Sequence, residues 1–116
     1  MIEAARVSDG TYPCDDFLRG LEGSKRKKDR ERLAVILIVL EDYAYRRELI
    51  FPREINNLKD GIRELKPDKV RLPFFDVPGS KVGAIRLTHG FVKGTQKAPR
   101  GEILKALWVR REDLAS

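Results

Sequence analysis

The chain has 116 residues, 41% hydrophobic and 36% charged, which suits one modest core in a single domain spanning residues 1–116 and excludes a disordered chain. Its 24 Lys and Arg against 18 Asp and Glu leave a net charge of +6, favouring an anionic partner: nucleic acid, an anionic membrane surface or an acidic protein. One Cys and one His exclude a disulfide framework and a Cys- or His-rich metal site, and the longest apolar run, eight residues from Leu33 to Leu40, is too short to span a bilayer.

No secretory apolar region occurs in the first twenty residues, so the expectation is a soluble, cytoplasmic chain with no cofactor and no metal. Ile2, Ala4 and Val7 suggest an edge strand that Gly10 and Pro13 end. Pro13, Asp15 and Asp16 then suit the start of a helix carrying Phe17, Leu18 and Leu21 on one face. Ser24 is a good cap for a second, longer helix. Its apolar stripe is Leu33, Ile36, Leu37, Leu40, Tyr43 and Ala44. Val35, Ile38 and Val39 fall off that stripe and predict burial on more than one side. Arg46 and Arg47 suit its last turns, and Phe51-Pro52 stops it.

The period then shortens. Ile62–Lys66 and Lys69–Val77 read as strands, with Val70, Leu72 and Phe74 alternating against Arg71, Pro73 and Phe75. Pro73 argues that its own amide lies outside a central ladder. Pro78-Gly79-Ser80 is a turn, and Val82–Thr88 is the returning strand, with Gly83 as a candidate bulge. Pro99 opens a last helix with Ile103, Leu104, Leu107 and Trp108 on one face. The aromatics Phe51, Phe74, Phe75, Phe91 and Trp108 read as core. The expected fold is α+β: two N-terminal helices, a small antiparallel sheet of about three strands plus an edge strand, and a C-terminal helix, with the helices on one sheet face.

Charge is unevenly placed. From Arg86 to Arg111 there are seven basic residues and one acid, Glu102, which equals the excess of the whole chain. These bases fall on a strand end, a loop and a helix start, a place that can present cations to phosphate. A second basic block, Lys25–Arg32, reads as a solvated helix face.

Two segments carry a resemblance. Asn57-Leu-Lys-Asp-Gly-Ile-Arg-Glu-Leu-Lys66 resembles the L-x-DG-xx-EL-R segment of phage-derived HigB-like toxins, members of the RelE/ParE superfamily of toxin–antitoxin systems. Thr88-His-Gly-Phe-Val-Lys-Gly-Thr-Gln-Lys-Ala-Pro-Arg-Gly-Glu-Ile103 resembles that family's L-HGF-x-K-x-TQK-TP-xx-EI segment more closely, and Ala106 and Arg110 fit the helix that follows it. The match runs over roughly residues 13–114. It implies a RelE-like fold with a twisted antiparallel sheet, ribosome-dependent mRNA cleavage with contacts to rRNA, and a helix-turn-helix, HigA-like antitoxin as partner.

Metal-independent RNA cleavage must take the 2′-OH proton, stabilise an anionic phosphorane and protonate the leaving 5′-oxygen. Cations do the second task, and crowding them lowers a lysine pKa towards that of a base. Arg71 matches the Arg of the family's YR pair and is the first candidate for phosphate; its bland reading is an exposed strand arginine. His89 is a candidate acid, base or substrate contact, or a ring packed under its loop. Lys93 is the candidate catalytic lysine. Lys66, Lys97 and Arg100 are candidate RNA contacts, and Thr95 and Gln96 suit loop capping. Glu64 is assigned to a salt bridge, and Cys14 to structure. Departures from the family pattern are Val70 in place of its tyrosine, Pro73 inside its strand and Ala98 in place of a threonine. The competing readings are a ParE-like protein that binds DNA gyrase and an inactive prophage relic that binds only its antitoxin.

Overall fold

The structure, a computed structural model, describes residues 1–46, 54–81, 83–94 and 99–115. In chain order its elements are β1 (Ile2–Ala4), α1 (Pro13–Glu22), α2 (Lys27–Arg46), β2 (Ile55–Asn57), β3 (Arg63–Leu65), β4 (Val70–Asp76), β5 (Ile85–Leu87), β6 (Phe91–Val92) and α3 (Arg100–Leu114). The strands form one sheet in the order β1-β5-β4-β3-β2, with β6 also paired to β4. This is a small α+β arrangement of three helices and a mixed sheet. No helix among the described residues is long and apolar enough to cross a membrane.

The sheet is mixed rather than antiparallel because β1 runs parallel to β5, with Ile2 opposite Ile85 and Ala4 opposite Leu87. The expected edge strand is present at Ile2–Ala4. The chain leaves it through two helices and three strands before returning beside it, and such a long connection permits parallel pairing.

The helices occupy both faces of the sheet, not one. Val70, Leu72 and Phe74 of β4 pack with Leu65, Ile85 and Leu87 against Cys14 and Leu21 of α1 and Ile36 and Tyr43 of α2. Phe75 points the other way, into a second cluster with Ala5, Val7, Ile62 and Ala106 and Val109 of α3. β4 is buried on both sides, so Phe74 and Phe75 are both core.

Pro73 is tolerated in this central strand. Its carbonyl accepts the Thr88 N–H at 2.8 Å. A residue's N and O point to the same neighbour in an antiparallel pair, so its missing donor faces the break where β4 passes from β5 to β6. The Pro73 nitrogen therefore lies outside the ladder, as expected, although the strand is central.

Both long helices bury a narrower stripe than their composition suggests. In α2, Ile36 and Tyr43 are buried while Val35, Leu37 and Ile38 are exposed, Ile38 at 60%; the expected two-sided burial does not occur, because only α1 and one sheet face meet this helix. In α3 the buried residues are Ala106, Val109 and Asp113, whereas Leu104 and Trp108 are exposed. Small residues let α3 approach the sheet closely, so the larger side chains turn outward. The strands β2 and β6 had no sequence signal beyond two or three residues. Arg47, Phe51 and Pro52 lie outside the described residues.

Candidate functional site

The face of the sheet shared with α3 carries the candidate site. Register alone assembles it. Glu64 on β3 lies opposite Pro73 on β4, and Arg71 on β4 lies opposite Phe91 on β6. Side chains alternate along each strand, so Glu64, Lys66, Arg71, Pro73, Phe75, Phe91 and Lys93 share one face. Lys93 is fixed just after β6 by its N–H to the Lys69 carbonyl at 2.7 Å.

Arg71 is half-buried rather than an exposed strand arginine. Its Nη1 donates to the carbonyls of Asp68 and Val70, both at 2.8 Å. It thereby closes the tight β3–β4 turn, in which Asp68 takes φ +55. Its Nε lies 3.8 Å from Glu64 Oε1, too far for a hydrogen bond.

Glu64 is buried, 1% exposed. Burial raises its pKa, against the opposing pull of Arg71, Lys93 and Lys66. Lys93 has a lowered pKa, through burial first and then the Arg71 guanidinium and Lys66, with Glu64 opposing. These four side chains form one electrostatic cluster of three cations around one acid, drawn from β3, β4 and the segment after β6.

His89 is buried at the head of β6 and bonded at both ring nitrogens. Nδ1 lies 3.0 Å from Thr88 Oγ1 and Nε2 lies 3.3 Å from Glu102 Oε2 on α3. Thr88 Oγ1 donates its one proton to the Pro73 carbonyl at 3.2 Å, so it accepts from His89 when Nδ1 carries a proton, and Glu102 accepts when Nε2 does. Its pKa is lowered, chiefly by burial and further by Lys105, while Glu102 opposes. Its ring stacks on Phe91, centroids 5.7 Å apart, which links it to the strand position opposite Arg71. Gly90 between them is required by packing: a Cβ there would fall inside the Phe17 ring of α1.

The structure thus brings together Lys66, Arg71 and Lys93 and attaches His89 to their edge through Phe91. Arg100 is exposed at the start of α3, two residues before Glu102. Lys97, with Thr95, Gln96 and Ala98, lies outside the described residues. Glu64, expected in a salt bridge, is buried and pairs with Arg71 at 3.8 Å at the centre of the cluster; sequence reasoning missed Glu102 as the partner of His89, whose signal was its isolation as the one acid in a basic segment. Arg86, counted there as part of a phosphate-facing surface, instead pairs with Asp113 at 2.6 Å and Glu3 at 3.2 Å. Cys14 is fully buried and its thiol is pushed up to about 12, chiefly by burial, which makes it inert.

No protein-family model and no curated protein matches the chain.

Proposed function

We propose that this chain is the toxin of a type II toxin–antitoxin pair, a ribosome-dependent mRNA endoribonuclease with a RelE-like fold. It acts in the cytoplasm and is neutralised by a helix-turn-helix, HigA-like antitoxin. The observation that carries the reading is the gathering of Lys66, Arg71 and Lys93 on one sheet face, in a chain whose residues 88–103 resemble the family's HGF-x-K segment.

The chemistry follows from the cluster. Lys93, its ammonium form disfavoured by burial and by two cations, takes the proton of the 2′-OH. Arg71 and Lys66 stabilise the charge that develops on the phosphorane, and the 5′-oxygen is protonated by solvent as it leaves. Arg100 extends the cationic surface along the RNA backbone. Buried and bonded at both nitrogens, His89 serves as a positioning group through its stack on Phe91.

Induced expression tests the reading. Growth should arrest, with translation-dependent cuts in a reporter mRNA. Arg71→Ala and Lys93→Ala should each reduce cleavage about 10²–10³-fold, as loss of one transition-state donor does. The internal bonds of Arg71 favour a second reading, a ParE-like protein that inhibits gyrase without cleaving RNA. Growth arrest with intact mRNA and inhibited supercoiling selects it. Soluble, folded protein that causes no arrest selects an antitoxin-binding relic.

A further inference from the structure

Glu64 is the one buried acid of the site among the described residues, and a simple salt bridge does not account for it. A structural ion pair of that burial closes to hydrogen-bond distance and satisfies its lone pairs. Here Oε1 stands 3.8 Å from Arg71 Nε. Glu64 Oε2 and Arg71 Nε are both buried without a hydrogen-bond partner among the described residues. The pair is held by charge rather than by a bond. The charged groups that face Glu64 are Arg71 from β4, Lys93 from the segment after β6 and Lys66 from the end of β3. Arg63, the preceding residue, points to the opposite face, where it lies over the Phe74 ring and pairs with Asp76.

Three cations converging without an acid would repel one another and spread apart. The further inference rests on the endoribonuclease reading and deepens it: we propose that Glu64 is a positioning residue of this site, the buried counter-charge that holds Lys66, Arg71 and Lys93 together. Glu64 opposes the two cations that favour neutral Lys93. The Arg71 guanidinium is itself held by the Asp68 and Val70 carbonyls, and Glu64 adds the counter-charge beside it at 3.8 Å.

Glu64→Gln keeps the shape and removes the charge. It is expected to fold, since burial already disfavours the ionised carboxylate. The side-chain amine of Lys93 is followed by NMR in lysine-labelled protein, with Lys93→Arg giving the assignment. In Glu64→Gln its titration midpoint should move to lower pH. The acid limb of the cleavage profile should follow it, and the rate should fall about 100-fold as the cations lose their counter-charge and spread. Glu64→Asp restores the charge and should return the Lys93 midpoint towards the parent value. An unmoved Lys93 midpoint in folded Glu64→Gln overturns the proposal. Should that variant fail to fold, Lys93→Met serves instead: by reciprocity the carboxyl resonance of Glu64 should titrate at higher pH than in the parent, and an unchanged midpoint overturns the proposal equally. A parent protein that cleaves no RNA refutes the endoribonuclease reading, while the titrations still decide whether the acid and the lysine are coupled.

Discussion

Replacing Asp113 by alanine should destabilise the fold by about 3 kcal/mol. Asp113 lies in the last turn of α3, where an acid opposes the helix dipole, so its presence there needs a tertiary cause. Its Oδ2 accepts Arg86 Nη1 at 2.6 Å and its Oδ1 accepts the Arg6 N–H at 2.9 Å. One carboxylate therefore ties α3 to β5 and to the segment that follows β1. Breaking a fully buried pair by removing one partner costs about 3–5 kcal/mol. The Arg86 side chain is 30% exposed, so water recovers part of that and the low end applies. At about 4 °C per kcal/mol for a domain near this size, the melting temperature should fall by about 12 °C. Asp113→Asn keeps an acceptor for Arg6 and loses only the charge, so it should lose about half as much, near 1.5 kcal/mol, the value of a charged hydrogen bond. Denaturant titration of the three proteins gives the free energies. A loss below about 1 kcal/mol in Asp113→Ala, or equal losses in the two variants, would refute the assignment of Asp113 as a buried clamp.

Three further outcomes can be checked on the purified protein. Gly90→Ala should cost about 1–3 kcal/mol by overpacking, and adding Phe17→Leu should recover much of that in a denaturation cycle, because the alanine methyl and the Phe17 ring compete for one space. His89 has a folded pKa below its unfolded value of about 6.5; the unfolded state therefore takes the proton first, and the contribution is present above that pH and lost as the pH falls below it. Melting temperatures of the parent should drop between pH 7 and 5 more steeply than those of His89→Gln. The Cys14 thiol, fully buried with a raised pKa, should react with a thiol reagent only at the rate of unfolding; rapid labelling of native protein would contradict its burial.

Much of this architecture was legible because local signals agreed. Pro13 with two following acids marks the start of α1, Pro99 marks that of α3, and the alternation of Val70, Leu72 and Phe74 marks β4. What the sequence hides depends on long-range partners. Ile38 and Leu37 are as apolar as Ile36, and periodicity cannot tell which side of α2 meets the sheet when the helix is apolar nearly all round. Trp108 is exposed because Ala106 and Val109 set the approach of α3, and small residues carry little hydrophobic signal. At the site, Lys66, Arg71 and Lys93 were each legible as candidates, yet nothing in the order of residues places Glu64 among them. That requires the β3–β4 register, in which Glu64 meets Pro73.

Two bases of the run from Arg86 to Arg111 are engaged elsewhere in the fold. Arg86 is consumed by Asp113 and Glu3, and Arg110 donates to the Asp60 carbonyl. Among the described residues of that segment only Lys93 joins the cluster, and its two cationic neighbours come from elsewhere. A slip of one residue between β3 and β4 would send Glu64 and Lys66 to the opposite face and dismantle the site. Arg71 guards against this by closing the β3–β4 turn with its own guanidinium. Loss of cleavage in Arg71→Ala would then have two sources, a missing phosphate ligand and a loosened turn. Lys93→Ala removes the ammonium while leaving its backbone bond to Lys69 intact. The informative comparison is therefore between the two: Lys93→Ala should lower cleavage about 10²–10³-fold with the parent's melting temperature nearly retained, and Arg71→Ala should lower both. Full cleavage in a folded Lys93→Ala protein would remove the lysine from the mechanism and leave Arg71 as a structural clamp.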